Sequence, residues 1–173
     1  NLGIALHELD KLDEAQACYT EAIALNPDYA EAHSNMGATL KELSKPDEAA
    51  ASCQKAIALN PNLADAHLNL GSAWQTLGKL EQAEASYRQA VALKPNYAES
   101  YNRLGVLYQE LGRLSEADAS FRQAISLEPD YTEARFNLGV VLLARGQHKA
   151  GLRESIKSSG IICFDIKNGL AIK

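Results

Sequence analysis

Pro27, Pro61, Pro95 and Pro129 stand 34 residues apart, three intervals in succession. Glycine keeps the same interval at Gly3, Gly37, Gly71, Gly105 and Gly139. Alanine keeps it along two tracks, Ala15, Ala49, Ala83, Ala117 and Ala22, Ala56, Ala90, Ala124. An internal period of this size marks a solenoid, in which each unit is one supersecondary element that can bury its apolar face only against its neighbours.

Each unit reads as two helices. From Glu31 to Leu43, the apolar or small positions His33, Met36, Gly37, Leu40 and Leu43 recur at steps of three and four, which sets them on one stripe of a helix. Ser44-Lys45-Pro46 then breaks the pattern, and Pro46 suits the first turn of a second helix, where its missing N–H has no partner to lose. That second helix turns Ala49, Cys53, Ala56 and Ile57 inward and must end near Leu59, because the residue before Pro61 is pushed out of helical geometry. In the next two units the turn is Leu77-Gly78-Lys79 and Leu111-Gly112-Arg113, with a glycine placed for a left-handed C-terminal cap. Gly37 and Ala49 allow paired backbones to approach closely, and Trp74, Tyr87, Tyr108 and Phe121 are expected to fill the gaps between one unit and the next. Composition agrees: 28 alanines among 173 residues, with aromatics at 6%, favour helices with small interior side chains.

The expected fold is therefore all-α, a solenoid of about five helical hairpins. Its units are 1–29 (partial), 30–63, 64–97, 98–131 and a degenerate 132–159, followed by a non-repeat tail at 160–173. Asn1 enters about one turn late in its helix, so the chain is expected to begin inside a larger protein. Gly151, Ser155 and Ser158 replace the packing residues of earlier units, as suits a terminal repeat. In the tail, Asn168-Gly169 between two β-prone runs signals a hairpin, and Ile162, Phe164 and Ile166 are expected to pack on the end of the solenoid.

No apolar run approaches the roughly 20 residues that a membrane-spanning helix needs. Three cysteines, Cys18, Cys53 and Cys163, lack the tight spacing of a zinc site and the even count of a disulfide framework, which favours a reducing, cytoplasmic setting. Up to Ala144 the chain holds 11 Lys and Arg against 20 Asp and Glu; beyond it, 6 against 2. A body of net charge −9 repels phosphate, so no nucleic-acid partner is expected. None of the common signatures of metal hydrolysis, acyl transfer or nucleotide binding occurs, and no cofactor or catalytic residue is assigned. His33 and His67, one period apart on the packing stripe, read as packing residues in preference to metal ligands. Glu31, Asp65, Glu99 and Glu133 recur where a helix dipole favours negative charge.

The chain resembles the tetratricopeptide repeat family. Asn69-Leu70-Gly71, Trp74, Ala83, Tyr87, Ala90 and Pro95 carry the resemblance in one unit. Leu104, Gly105, Tyr108, Ala117, Phe121, Ala124 and Pro129 carry it in the next. It implies a superhelix of hairpins whose first helices line a concave groove, and a protein-interaction scaffold that binds a protein or peptide segment there. The groove face would carry Ser34, Asn35 and Lys41 in one unit and Asn69, Ser72 and Gln75 in the next. Asn102, Arg103 and Gln109 follow, then Phe136, Asn137 and Val140. Asparagine recurs at Asn1, Asn35, Asn69 and Asn137, with Arg103 in the fourth unit. A similar asparagine ladder in O-linked N-acetylglucosamine transferases holds substrate peptides by their main chain, because an amide both donates and accepts. Two readings of these amides stay open: peptide capture, or contacts between repeats. The carboxylate clamp known in this family is not matched, because Ser34, Ala38 and Glu99 stand where it needs other residues. The resemblance also admits two alternatives: the substrate-recruiting part of a larger glycosyltransferase, or a scaffold that self-associates through its open ends.

Overall fold

The computed structural model describes residues 2–159, 163–165 and 170–172. Among the described residues, ten helices pair into five hairpins. They are α1 (Leu2–Glu8) with α2 (Leu12–Leu25), α3 (Ala30–Glu42) with α4 (Pro46–Leu59), α5 (Ala64–Thr76) with α6 (Leu80–Leu93), α7 (Ala98–Glu110) with α8 (Leu114–Leu127), and α9 (Thr132–Ala144) with α10 (His148–Ser159). The chain divides into two compact units. Hairpins 1 to 3 lie in Asn1–Pro95, and hairpins 4 and 5 in Asn96–Lys173.

The turn inside each hairpin closes the same way. Lys45 N–H donates to Leu40 C=O and Lys79 N–H to Trp74 C=O, both at 2.9 Å, six-residue closures that satisfy the last carbonyls of the first helix. This geometry needs a left-handed residue, supplied by Gly78, Gly112 and Gly146 at φ of 70°, 71° and 75°. The first two turns use Asp10 and Ser44 instead, at φ 58° and 59°. A side chain there crowds the backbone, so Ser44 holds strain that Gly78 does not.

A second set of glycines sits inside the helices and serves packing. A Cβ on Gly71 would lie 2.6 Å from the Tyr87 ring, one on Gly105 2.6 Å from Phe121, and one on Gly37 2.3 Å from Cys53 Sγ. Tyr87 and Phe121 therefore fill the space within their own hairpin, where a ring lies directly against a bare backbone; the expected gap-filling between units is not their role. Hairpin 5 has no such ring. Gly139 faces Gly151 and Ser155, and a Cβ on Gly151 would stand 2.8 Å from the Gly139 carbonyl oxygen, so the two helices close almost backbone to backbone.

In the first unit, Tyr19, Met36, Leu40, Cys53 and Leu70 join one buried cluster through all three hairpins, with Ile23, Ile57 and Trp74 packed against it. The core is thus continuous along the stack, as the period requires. In the second unit Leu107, Phe121, Leu138, Val141 and Leu142 are buried. Ser100 is also fully buried, and its hydroxyl has no hydrogen-bond partner among the described residues. The equivalent positions, Ala32, Ala66 and Ala134, carry no hydroxyl and are equally buried.

Beyond α10, Cys163–Asp165 (β1) pairs antiparallel with Leu170–Ile172 (β2), Phe164 opposite Ala171. The Asn168-Gly169 turn, Ile162 and Ile166 lie outside the described residues, as do the side chains of the two strands, so the expected packing of the tail lies outside them too.

Gly71→Ala should lower the unfolding free energy by about 1–2 kcal/mol because the Tyr87 ring must move, whereas Ser44→Gly should raise it by up to about 1 kcal/mol; urea titration separates the two. Ser100→Ala should stabilise by about 1 kcal/mol, since it removes a buried hydroxyl that bonds nothing, and an unchanged or lower urea midpoint would contradict this. Burial pushes the Cys53 thiol up to about 12, against a small opposing pull from Lys41. Native wild type and Cys53→Ala should therefore show equal counts of reagent-titratable thiols, and differ by one after unfolding.

Candidate functional site

The first helix of each hairpin offers the residues expected to meet a ligand. In the first unit, α3 and α5 lie side by side and present Asn35, Ala38 and Lys41, then Asn69, Ser72 and Gln75, all half-buried. Acidic residues edge this face, with Glu31, Glu42 and Asp65 exposed. The Asn69 amide N–H donates to both the Ser34 carbonyl and the Ser34 hydroxyl, at 3.3 Å each. This ties the third hairpin to the second and orients the amide, leaving its carbonyl oxygen without a partner among the described residues. Asn35 stands one period earlier, and its side chain makes no hydrogen bond among the described residues. Asn1, the first residue of the asparagine series, lies outside them. Gln75 accepts the Tyr87 hydroxyl at 2.9 Å, so it serves the hairpin interior as well as the face.

Ser34 itself is interior, at 1% exposure. The sequence pattern puts it on the open face, but it points at the succeeding first helix and accepts from it. Asn102 is displaced in the same way in the second unit. It is fully buried, donates to Glu133 at 3.0 Å and to the Tyr131 hydroxyl at 3.3 Å, and accepts from Asn137 at 3.3 Å. A buried amide with this many partners stitches hairpin 4 to hairpin 5 and cannot reach a groove ligand. Burial, then the Glu133 and Glu99 carboxylates, push the Tyr131 phenol above its usual range and keep it a neutral hydrogen-bonding partner in this network.

The open face of the second unit comprises Arg103, Val106 and Gln109 on α7 with Asn137, Val140 and Leu143 on α9. Arg103 pairs with Glu99 one turn earlier, at 3.3 Å, both side chains a little over one-third exposed. A half-exposed pair of this kind contributes little to stability and exchanges readily. Phe136 occupies the position of Ser34 and Asn102 and is 54% exposed. It lies on the side that faces a succeeding hairpin, apart from the row formed by Arg103, Asn137 and Val140.

The histidines hold loops in place: His33 Nε2 lies 3.0 Å from the Pro27 carbonyl and His67 Nε2 2.9 Å from that of Pro61. In hairpin 5 Arg135 donates to the Pro129 carbonyl from the equivalent sequence position. Helical periodicity places both histidines on the packing stripe but carries no sign of the proline carbonyl six residues back. Among the described residues no group of three or more His, Cys, Asp or Glu side chains is placed to hold a metal ion, and no helix is long and apolar enough to cross a membrane.

Five family models match, described as TPR repeat (residues 3–44 and 76–112) and as tetratricopeptide repeat (30–63, 52–85, 98–131 and 132–154). No curated protein matches the chain by sequence. Among solved structures, a thermophilic TPR protein of Thermus thermophilus is similar at 26% identity and TM-score 0.80, over 92% of this chain and 89% of that one. PilF of Pseudomonas aeruginosa is similar at 17% identity and TM-score 0.84, over 92% and 72%. YrrB, described as a TPR protein with an unusual peptide-binding site, is similar at 24% identity and TM-score 0.69, over 92% and 82%. With the 34-residue hairpin, the glycine-backed rings and matched repeats running from residue 3 to residue 154, this chain belongs to the tetratricopeptide repeat family.

Proposed function

We propose that the chain is a non-enzymatic protein-interaction scaffold, and that the face formed by α3 and α5 takes an extended segment of another polypeptide along its main chain. The observation that carries this reading is the state of the asparagines. Asn69 is held by its N–H group on Ser34, with its carbonyl oxygen unengaged among the described residues, and Asn35 makes no side-chain hydrogen bond among them. Amides oriented by the scaffold can bond peptide N–H and C=O groups whatever the ligand's side chains, with little ordering left to do on binding. Asparagine is a poor residue for a helix interior, and the repeat-to-repeat bond explains only one end of each amide. The peptide-binding site named for YrrB gives the reading a precedent within the family.

The segment would lie between acidic edges, with Lys41, Ser72, Gln75 and Gln109 as polar neighbours of the asparagines. In the second unit Asn137 would continue the ladder and Val140 would meet an apolar side chain. Arg103 would exchange Glu99 for an acidic group of the ligand. Ser34 and Asn102 act from behind, by holding the ladder residues in orientation.

Isothermal titration against the tightest binder from a peptide library tests the proposal. Asn35→Ala should weaken binding about five- to tenfold with an unchanged unfolding midpoint, because it removes a surface hydrogen bond to the ligand and nothing inside the fold. Asn69→Ala should weaken binding and also cost about 1 kcal/mol of stability through the lost contact with Ser34. Equal affinities for wild type and the Asn35→Ala, Asn69→Ala double variant would remove the ladder from the site.

A further inference from the structure

Seven large apolar side chains are exposed among the described residues, and six of them sit on the two end hairpins: Leu2, Ile4, Leu9 and Leu25 on hairpin 1, Phe136 and Leu152 on hairpin 5. The repeat itself shows what these positions are for. Met36 and Leu70, one and two periods after Leu2, are each 8% exposed, whereas Leu2 is 67% exposed. Phe136 takes the place of Ser34, Leu68 and Asn102, all of them buried. Of these, Ser34 and Asn102 bond the following hairpin. Leu152 takes the place of Gln16, whose side chain accepts from Lys45 of the following hairpin at 3.2 Å, and of Asp118, which pairs with Arg145 of the following hairpin. Hairpin 1 thus shows the apolar side that a predecessor covers, and hairpin 5 the side that a successor covers. On that side of hairpin 5 stand two large apolar residues.

The two ends also differ in charge. Residues 2–29 carry six carboxylates, Glu8, Asp10, Asp13, Glu14, Glu21 and Asp28, against Lys11 alone, a net charge of −5. Residues 132–159 carry Glu133 and Glu154 against Arg135, Arg145, Lys149, Arg153 and Lys157, a net charge of +3. Lys149 and Arg153 are exposed on either side of Leu152 along the sequence of α10.

We propose that hairpin 5 of one copy docks on hairpin 1 of a second copy, so that the chain associates head to tail and the repeat stack continues across the junction. Exposed apolar residues at both ends supply the contact area. Opposite charges select this pairing over joining two like ends, which would set −5 against −5 or +3 against +3. The contact is heterologous, and its products are open chains or rings of copies. It uses a different surface from the asparagine ladder, so either proposal can fail without the other.

Sedimentation velocity of the purified chain over a range of concentrations tests this. The expected result is a weight-average mass that climbs beyond a dimer with concentration and falls as salt is added. Phe136→Ser with Leu152→Gln, which installs the residue types of Ser34 and Gln16, should weaken association by about tenfold or more while leaving the helical circular dichroism and the unfolding midpoint of the dilute protein unchanged. Lys149→Glu with Arg153→Glu should also weaken it, and mixing that variant with an Asp13→Lys, Glu21→Lys variant should restore it, because the reversed ends match again. A monomer at every concentration overturns the proposal. So does association that stops at a dimer and survives charge reversal in hairpin 1, which would mark a symmetric contact between hairpins 5. A lower unfolding midpoint for the dilute Phe136→Ser, Leu152→Gln protein overturns it as well, since the face would then be covered within the chain.

Discussion

Each hairpin depends on a helix backbone stripped of its side chain at one point so that its partner can press against it. Gly71 under Tyr87 and Gly105 under Phe121 are the full form of this contact: a planar ring, entirely buried, on a bare turn of helix. Gly3 under Tyr19 repeats it at the start of the chain. Hairpin 2 replaces the ring with the small sulfur of Cys53, and hairpin 5 dispenses with it by setting Gly139 against Gly151. All these solutions keep the two helices close, and that closeness lets alanines at Ala49, Ala83 and Ala117 fill the rest of the interface at no loss of side-chain entropy.

Stacking one hairpin on another is a separate problem with a partly polar answer. Within the first unit Gln16 and Lys45 join hairpins 1 and 2, and Ser34 and Asn69 join hairpins 2 and 3. Within the second, Asn102, Tyr131, Glu133 and Asn137 form a connected group, and Asp118 pairs with Arg145. Apolar contact alone would tolerate sliding of one hairpin over the next, whereas directional bonds between particular side chains fix the offset. The same bonds turn the asparagines outward in a defined orientation, so the stitching between repeats and the proposed ligand contacts share one set of amides.

Much of this is legible in the chain without coordinates. The 34-residue interval yields the hairpins, Pro46 and Pro61 bracket α4, and Gly78 and Gly112 stand where a left-handed residue is needed. Where the sequence pattern misleads, the cause is angular. Successive residues on a helix are about 100° apart, so Ser34 and Asn35, or Asn102 and Arg103, look like neighbours on one face. Whether a side chain meets solvent or the next hairpin depends on where that hairpin crosses. Ser34 and Asn102 fall on the covered side, Asn35 and Arg103 on the open side. Tyr87 is visible as a packing residue, but its target, the bare backbone of Gly71 in its own hairpin, is not.

The sequence by itself determined the repeat, the helix boundaries, the small-residue interior and the opposed charges of the two ends, because these rest on local sterics, on a periodicity that any reader can count, and on formal charge. Only the tertiary structure decided which polar side chains are spent between hairpins, which carbonyl each histidine meets, and that Phe136 and Leu152 stand uncovered where interior repeats meet a successor. Those facts depend on how one hairpin crosses the next, and a crossing is set by the sum of many contacts between residues far apart in the chain, which no stretch of sequence contains on its own.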